Sequence, residues 1–129
     1  MLPMTESLFS LRYQHPTATH IEQTRIEGWL QRWGTAYLRD ITWRAYDPGR
    51  DESFRFRLDF VIFPVHGRKP SDYLLLELIS PQPEPIAQRS AARRQLLRVL
   101  WPGQMVCLGV QLLRTDAEAA QIRILEAMS

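Results

Sequence analysis

Apolar and polar residues recur with period two in the middle of the chain, which is typical of β-strands. The stretch "SFRFRLDFVIF", residues 53–63, has this alternation, with Phe54, Phe56, Leu58, Phe60 and Ile62 on one face and Arg55, Arg57, Asp59 and Val61 on the other. The stretches "LRDITWRAY" (38–46), "YLLLELIS" (73–80) and "QMVCLGVQLL" (104–113) also have strand composition. Because "DPGRDE" is a short turn, the first two predicted strands form a hairpin.

Three other stretches have helical periodicity. The first is predicted from Thr17 or Thr19, as N-cap, to about Trp33, with Gly34 as its C-terminal stop and Glu22 closing a capping box three residues after Thr19. Its apolar face contains Ile26, Trp29, Leu30 and Trp33, and Glu22 lies on that same face. The others are "AQRSAARRQLLRVL" (87–100) and "DAEAAQIRILEAM" (116–128), with Asp116 near the start of the last.

The order of these elements, α-β-β-β-α-β-α, predicts an α/β fold. Three antiparallel strands form a meander, and a helix then leads to a parallel fourth strand, which gives a four-stranded mixed sheet flanked by helices. The 129 residues suit one domain. We expect an N-terminal arm at 1–16, with a short strand as the alternative for its first 13 residues, a core at about 17–113 and a C-terminal helix at about 115–128.

Composition narrows the functional classes. No apolar run approaches the roughly 20 residues that span a bilayer, and the start of the chain lacks the pattern of a secretory signal. The single cysteine, Cys107, excludes an internal disulfide and a cysteine-based zinc site. A cytoplasmic protein is therefore expected. Of 16 basic residues only Lys69 is lysine; arginine suits phosphate contacts, although a GC-rich genome gives the same bias.

Three carboxylates fall at positions that are predicted to be buried. Glu77 interrupts an apolar strand, where a carboxylate loses hydration and needs a partner. Asp59 lies in the neighbouring strand, and Glu22 lies on the apolar face of the first helix. Three converging carboxylates repel one another unless a divalent cation neutralises them, and Mg²⁺ or Mn²⁺ suits such oxygen ligands.

Each carboxylate also has a simpler interpretation. Glu77 can form a structural ion pair with Arg57 or Arg93. Glu22 can serve only the capping box, and Asp59 can pair with arginines on an exposed strand face.

The αβββαβ order, with acidic residues in "HIEQTRIEGWLQRWG", "FRLDFVI" and "LLLELIS", resembles the PD-(D/E)xK nuclease superfamily over residues 17–113. The resemblance implies a restriction-endonuclease-like core. It also implies that Asp59, Glu77 and the backbone carbonyl of Leu78 hold a Mg²⁺ or Mn²⁺ ion, with Glu22 as an outer ligand. In that family the metal activates water for attack on a phosphodiester.

The sequence departs from the family pattern at Ile79, which occupies the position of the motif lysine and supplies no charge. Arg89 and Arg93, predicted to face the sheet, are the candidate replacements, and Lys69 is a more distant one. An arginine stabilises an anion but is no general base. Arg94 and Arg98 are predicted to face outward and, with Lys69, to contact nucleic acid.

Three functions are consistent with these features. The first is a metal-dependent DNA endonuclease or nuclease subunit, acting as a homodimer or within a larger complex. The second is a catalytically inactive protein of the same fold that binds DNA or docks a protein. The third is an unrelated α/β protein with a protein partner, in which the three carboxylates do not converge.

Overall fold

The computed structural model describes residues 16–129, with side chains from His20 onward. The predicted N-terminal arm therefore lies almost wholly outside the described residues. The elements are α1 (Pro16–Arg32), β1 (Ala36–Asp47), β2 (Glu52–Phe63), a short 3-10 turn (Pro70–Asp72), β3 (Leu74–Ile79), α2 (Ile86–Leu100), β4 (Met105–Gly109), α3 (Val110–Thr115) and α4 (Ala117–Met128).

The four strands form one mixed sheet in the order β1-β2-β3-β4. Strands β1, β2 and β3 are antiparallel neighbours, and α2 carries the chain to β4, which pairs parallel to β3. This confirms the predicted four-stranded mixed sheet, its flanking helices and the C-terminal helix.

The two ends of α1 differ in how well the sequence predicted them. The helix begins at Pro16, so Thr17 and Thr19 lie inside its first turn and the predicted N-cap is wrong. Proline is favoured there because its missing N–H would have no helical acceptor. The predicted stop at Gly34 is confirmed: its φ is +66°, and the next amide donates to the Leu30 carbonyl at 2.9 Å.

The predicted fourth strand is too long. It ends at Gly109, and the following residues form α3, in which Val110 and Leu113 are buried at the i, i+3 spacing of a helix. A short apolar run does not distinguish strand from helix by its pattern alone. The predicted start of the last helix is confirmed, because Asp116 accepts a hydrogen bond from the Ala119 amide at 3.1 Å.

Two apolar cores lie on opposite faces of the sheet. What we call the α1-side core is formed by α1, α3, α4 and one sheet face, and its buried members are Ile26, Trp29, Leu30, Phe60, Ile62, Leu74, Leu76, Leu108, Leu113, Ala120 and Ile124. The α2-side core lies beneath α2, and its buried members are Ala45, Phe56, Leu58, Val61, Leu75, Leu97 and Trp101. Successive residues of β3 contribute to different cores, as a pleated strand requires.

The period-two pattern of β2 does not keep one face throughout, contrary to the prediction. Phe56 and Leu58 belong to the α2-side core, whereas Phe60 belongs to the α1-side core. The change occurs at the one position where β1 and β2 lack a paired rung, between Asp40 and Asp59. Asp40 has a left-handed φ of +58°, which rotates the ribbon locally.

Beyond this switch the hairpin is a two-stranded ribbon. Strand β3 pairs with β2 only at Phe60, Val61 and Ile62. The part of the hairpin from Ile41 to Leu58, here called the distal ribbon, therefore extends past β3 and is covered on one face by α2.

Candidate functional site

The predicted acidic pair lies where β2 and β3 separate. The last pair of residues in the β2–β3 ladder is Phe60 and Leu76. Beyond it, side-chain carboxylates take the place of backbone carbonyls as acceptors. The Asp59 amide donates to Oε2 of Glu77 at 2.8 Å, and the Leu78 amide donates to Oδ2 of Asp59 at 2.8 Å. Each carboxylate thus accepts from the backbone of the opposite strand. Because buried amides without acceptors are costly, both acidic side chains have a structural role at this point.

Glu77 forms an ion pair with α2. Only 3% of the residue is exposed, and its Oε1 accepts a hydrogen bond from Nη1 of Arg93 at 2.8 Å. Arg93 also donates from Nη2 to the Arg57 carbonyl and places its guanidinium over the Phe56 ring. Of the two ion pairs predicted as alternatives for Glu77, with Arg57 or with Arg93, the structure contains the pair with Arg93. Arg93 faces the sheet as predicted.

Asp59 is held by α1 on the other side. Its Oδ1 accepts a hydrogen bond from Nε2 of Gln23 at 2.8 Å, and the Gln23 side chain also lies 3.4 Å from Nη2 of Arg39. Arg39 in turn pairs with Glu27 at 3.0 Å. Gln23, which is buried, was not predicted as a site residue. The only signal in the sequence was its position beside Glu22 on the helix. A neutral amide, unlike a buried carboxylate, does not require a cation as its partner, so its residue type gave no indication of a site.

Glu22 is buried, as predicted, but it closes no capping box. Its Oε1 accepts a hydrogen bond from Nη2 of Arg114 at 2.9 Å. Arg114 was missed as a site residue because the residues just before it, 104–113, were predicted as strand, whereas it lies in the last turn of α3. The neighbouring Arg25 donates to the Leu113 carbonyl at 2.8 Å and further ties α1 to α3.

The contacts of these carboxylates bear on the predicted metal site. Within residues 16–129 no three or more His, Cys, Asp or Glu side chains are grouped so that they could hold a metal ion. Mg²⁺ and Mn²⁺ favour clustered oxygen ligands, whereas Glu77 has a guanidinium 2.8 Å from its Oε1. The described residues do not fit the three-carboxylate ligand set in this arrangement. The Mg²⁺ or Mn²⁺ expectation, with Leu78 as a carbonyl ligand, stays a prediction from the resemblance.

The remaining candidates lie away from this contact network. Arg89 is exposed on α2, contrary to the prediction that it faces the sheet, because it lies a turn before Arg93, close to the start of the helix. Lys69 is exposed at the start of the 3-10 turn, where its amide donates to Asp72 at 3.3 Å. Ile79 ends β3 and pairs with Gly109.

Three of the four arginines of α2, namely Arg89, Arg94 and Arg98, form no salt bridge with another described residue. From Pro85 to Thr115 the sequence contains five arginines and no aspartate or glutamate. Arg98 is exposed as predicted, whereas Arg94 is half-buried and faces outward only in part. The two residues, one helical turn apart, form what we call the α2 arginine surface, and no salt bridge between described residues includes either of them.

Cys107 lies beside this surface, with its Sγ 3.7 Å from Nη2 of Arg98. Burial raises the pKa of the Cys107 thiol, an effect that Arg98 and Arg94 partly oppose by favouring the thiolate. At neutral pH the thiol is therefore protonated, and a protonated thiol is a poor nucleophile.

In the part of the chain that the structure describes, no helix has the length and apolar character needed to cross a membrane.

Comparisons with known proteins identify no family for this chain. Searches of protein-family models, curated proteins and solved structures found no match to it.

Proposed function

We propose that this protein is a catalytically inactive α/β module of the restriction-endonuclease-like type that binds DNA. The observation that carries the proposal is that the arginines of α2 have two different environments. Arg93 is used to neutralise the buried carboxylate of Glu77, whereas the α2 arginine surface, Arg94 and Arg98, has no acidic partner among the described residues.

The loss of catalysis is supported by the contacts of the acidic residues. Both oxygens of Glu77 and both oxygens of Asp59 accept hydrogen bonds from donors at 2.8 Å. Ile79 replaces the lysine that the family pattern supplies. The same side chains that would bind a metal are thus used to close the end of the β2–β3 ladder.

DNA binding is supported by charge. Like charges four residues apart on a helix destabilise it by a few tenths of a kcal/mol, so the Arg94–Arg98 pair has a small cost in the free protein. Arginine presents a planar fork that matches phosphate oxygens. Contacts of this kind bind the DNA backbone and give an affinity that falls steeply with salt.

The test is a titration of a fluorescent DNA duplex, followed by anisotropy at several salt concentrations. The variant Arg94→Gln/Arg98→Gln should bind more weakly, and the slope of log K against log salt should shrink by about 2, since each lost phosphate contact lowers it by about 1. The matched control is Arg32→Gln/Arg123→Gln, which removes the same charge from exposed positions on α1 and α4. The control should keep most of the affinity and most of the slope.

Equal losses in both double variants would mean that net charge, rather than the α2 arginine surface, controls binding. Failure of the wild type to bind any duplex at low salt would reject the proposed function.

Metal-dependent phosphodiester hydrolysis remains a second candidate. It is favoured by the adjacency of Asp59 and Glu77, which are linked across the two strands by a hydrogen bond. It predicts plasmid cleavage in Mg²⁺ or Mn²⁺ that Asp59→Ala abolishes, and a melting temperature that rises with Mn²⁺. Cleavage of both DNA strands would also need the predicted homodimer or a subunit of a larger complex. The inactive module predicts no cleavage and a melting temperature that is indifferent to Mn²⁺.

A further inference from the structure

The distal ribbon has one covered face and one open face. Its covered face packs aromatic residues such as Trp43 and Phe56 beneath α2. The side chains that alternate with them point the other way and are polar. This open face is formed by Thr42, Arg44 and Tyr46 from β1 and by Ser53, Arg55 and Arg57 from β2.

Two arginines are directly opposed at the centre of the open face. Arg44 of β1 pairs with Arg55 of β2, and both side chains are exposed. Like charges in direct opposition destabilise a sheet, and among described residues neither forms a salt bridge. The neighbouring Arg57, by contrast, is paired with Asp40 at 2.8 Å. Two exposed guanidinium groups on opposed positions, without acidic partners among the described residues, suit a phosphate group.

An exposed aromatic ring lies next to this pair. Tyr46 is 56% exposed and lies two residues from Arg44 on the same face. Its hydroxyl donates to Oδ1 of Asp51 at 2.5 Å, which fixes the direction of the ring. That hydrogen bond is also the main cause that raises the pKa of Tyr46, so the phenol stays neutral and adds no negative charge.

We propose that the open face of the distal ribbon binds single-stranded DNA, with phosphates at Arg44 and Arg55 and a base stacked on Tyr46. This proposal rests on the DNA-binding function above and names a second surface for it, separate from α2. Since α2 covers the opposite face of the same ribbon, the two surfaces lie on different sides of it.

The combination of groups favours a single strand over the other polyanions. Guanidinium groups beside an exposed aromatic ring are the usual elements of single-strand binding, in which unpaired bases stack on the ring. The bases of a duplex are already stacked, and an acidic peptide would leave the ring unused. The turn contains Asp47, Asp51 and Glu52 and one cation, Arg50, which lies 3.6 Å from Asp47. Its net negative charge disfavours phosphates at the tip relative to the arginine pair.

The experiment compares ribbon variants on a single-stranded probe. An oligothymidylate of about 12 nucleotides, within the usual site size, is titrated with wild type, Arg44→Gln/Arg55→Gln, Tyr46→Ala and Tyr46→Phe. We expect about fivefold or greater loss of affinity for Tyr46→Ala, the range that one lost stacking contact gives. A loss of similar or larger size is expected for the arginine variant, and near wild-type affinity for Tyr46→Phe, which keeps the ring. Arg32→Gln/Arg123→Gln again controls for net charge, and circular dichroism establishes that each variant is folded.

The outcomes separate this proposal from the proposed function. If Arg44→Gln/Arg55→Gln and Tyr46→Ala bind the oligothymidylate as the wild type does, the ribbon proposal is rejected, while loss of duplex binding in the α2 variant still supports the function. Equal competition by polyglutamate would show a general polyanion surface and would also reject the proposal. Tighter binding of an oligoribonucleotide would reassign the ligand to RNA. A wild type that binds neither probe would overturn both proposals.

Discussion

At the scale of single residues, the ion pair between Glu77 and Arg93 accounts for a charge inside an apolar strand. The Glu77 side chain is 4% exposed and that of Arg93 27%. Replacing Arg93 by Gln leaves a buried carboxylate without its cation, and such losses cost about 3 kcal/mol or more of unfolding free energy. Urea unfolding measures this loss.

The neighbouring Arg94→Gln is the matched control for this pair, and it should change stability by no more than about 0.5 kcal/mol. The double variant Glu77→Gln/Arg93→Gln should recover part of the loss, because no buried charge then remains. If Arg93→Gln behaved like Arg94→Gln, the pair would have no structural role.

The thiol of Cys107 gives a prediction about pH. Because burial raises its pKa, the native protein holds less thiolate at a given pH than the unfolded chain does. Alkylation at mildly alkaline pH should therefore be slow in the native state, should accelerate in urea, and should rise with pH. Arg98→Gln should slow the native reaction further, since Arg98 favours the thiolate. Rapid alkylation of the native thiol at neutral pH would contradict this prediction.

The sequence predicted which residues are buried better than it predicted what they contact. Glu22 and Glu77 were expected to be buried, and both are. Arg93, 16 positions from Glu77, was one of the two partners predicted for it, whereas Arg114, 92 positions from Glu22, was not predicted because no local pattern specifies so distant a pair. Gln23 was missed for the opposite reason: it is an uncharged side chain with no periodicity of its own, yet it bridges α1 and β2.

At the scale of elements, the switch of faces in the β1–β2 hairpin depends on one backbone conformation. Asp40 has a φ of +58°, which costs an ordinary L-residue about 1–2 kcal/mol and which glycine adopts freely. Asp40→Gly and Asp40→Ala both lose the contact with Arg57, so their difference isolates the backbone. We expect Asp40→Gly to be at least as stable as Asp40→Ala in urea unfolding.

Thr42 is the control for this comparison, because it lies two residues further along the same strand without a positive φ. There the order should reverse, with Thr42→Ala more stable than Thr42→Gly by roughly 0.5–1 kcal/mol. The same order at both positions would mean that the left-handed conformation of Asp40 does not control the switch.

The type of an element was predicted correctly where the periodic pattern was long and wrongly where it was short. The 12 residues of β2 and the 15 residues of α2 were both recognised. The six residues of α3 were not, since an apolar run of that length fits either structure. The change of face at Asp59 could not be predicted either, because apolar and polar residues continue to alternate in the sequence through the position where β2 turns its apolar side chains to the other core.

At the scale of the whole molecule, one sheet separates two cores that share its central strands. Phe60 and Leu76 of these strands face the α1-side core, and Leu58 and Leu75 face the α2-side core. Loss of either core exposes the strands on which the other packs. We therefore expect the described domain to unfold as one cooperative unit.

The tryptophans allow this cooperativity to be measured, because two pack in each core. Trp29 and Trp33 report on the α1-side core, and Trp43 and Trp101 on the α2-side core. Replacing either pair by phenylalanine leaves a fluorescence signal from one core only. In both backgrounds Leu97→Ala, a buried residue of the α2-side core, should lower the unfolding free energy by about 2–5 kcal/mol.

Cooperative unfolding requires that Leu97→Ala shift the two fluorescence signals by the same amount. Leu113→Ala, the matched truncation in the α1-side core, should do the same from the opposite face. If each variant shifted only the tryptophans of its own core, the two layers would unfold separately, and the shared strands would not couple them. Coincident shifts would mean that the side chains of α2 and of the distal ribbon for which we propose DNA contacts depend on the stability of a single folded unit.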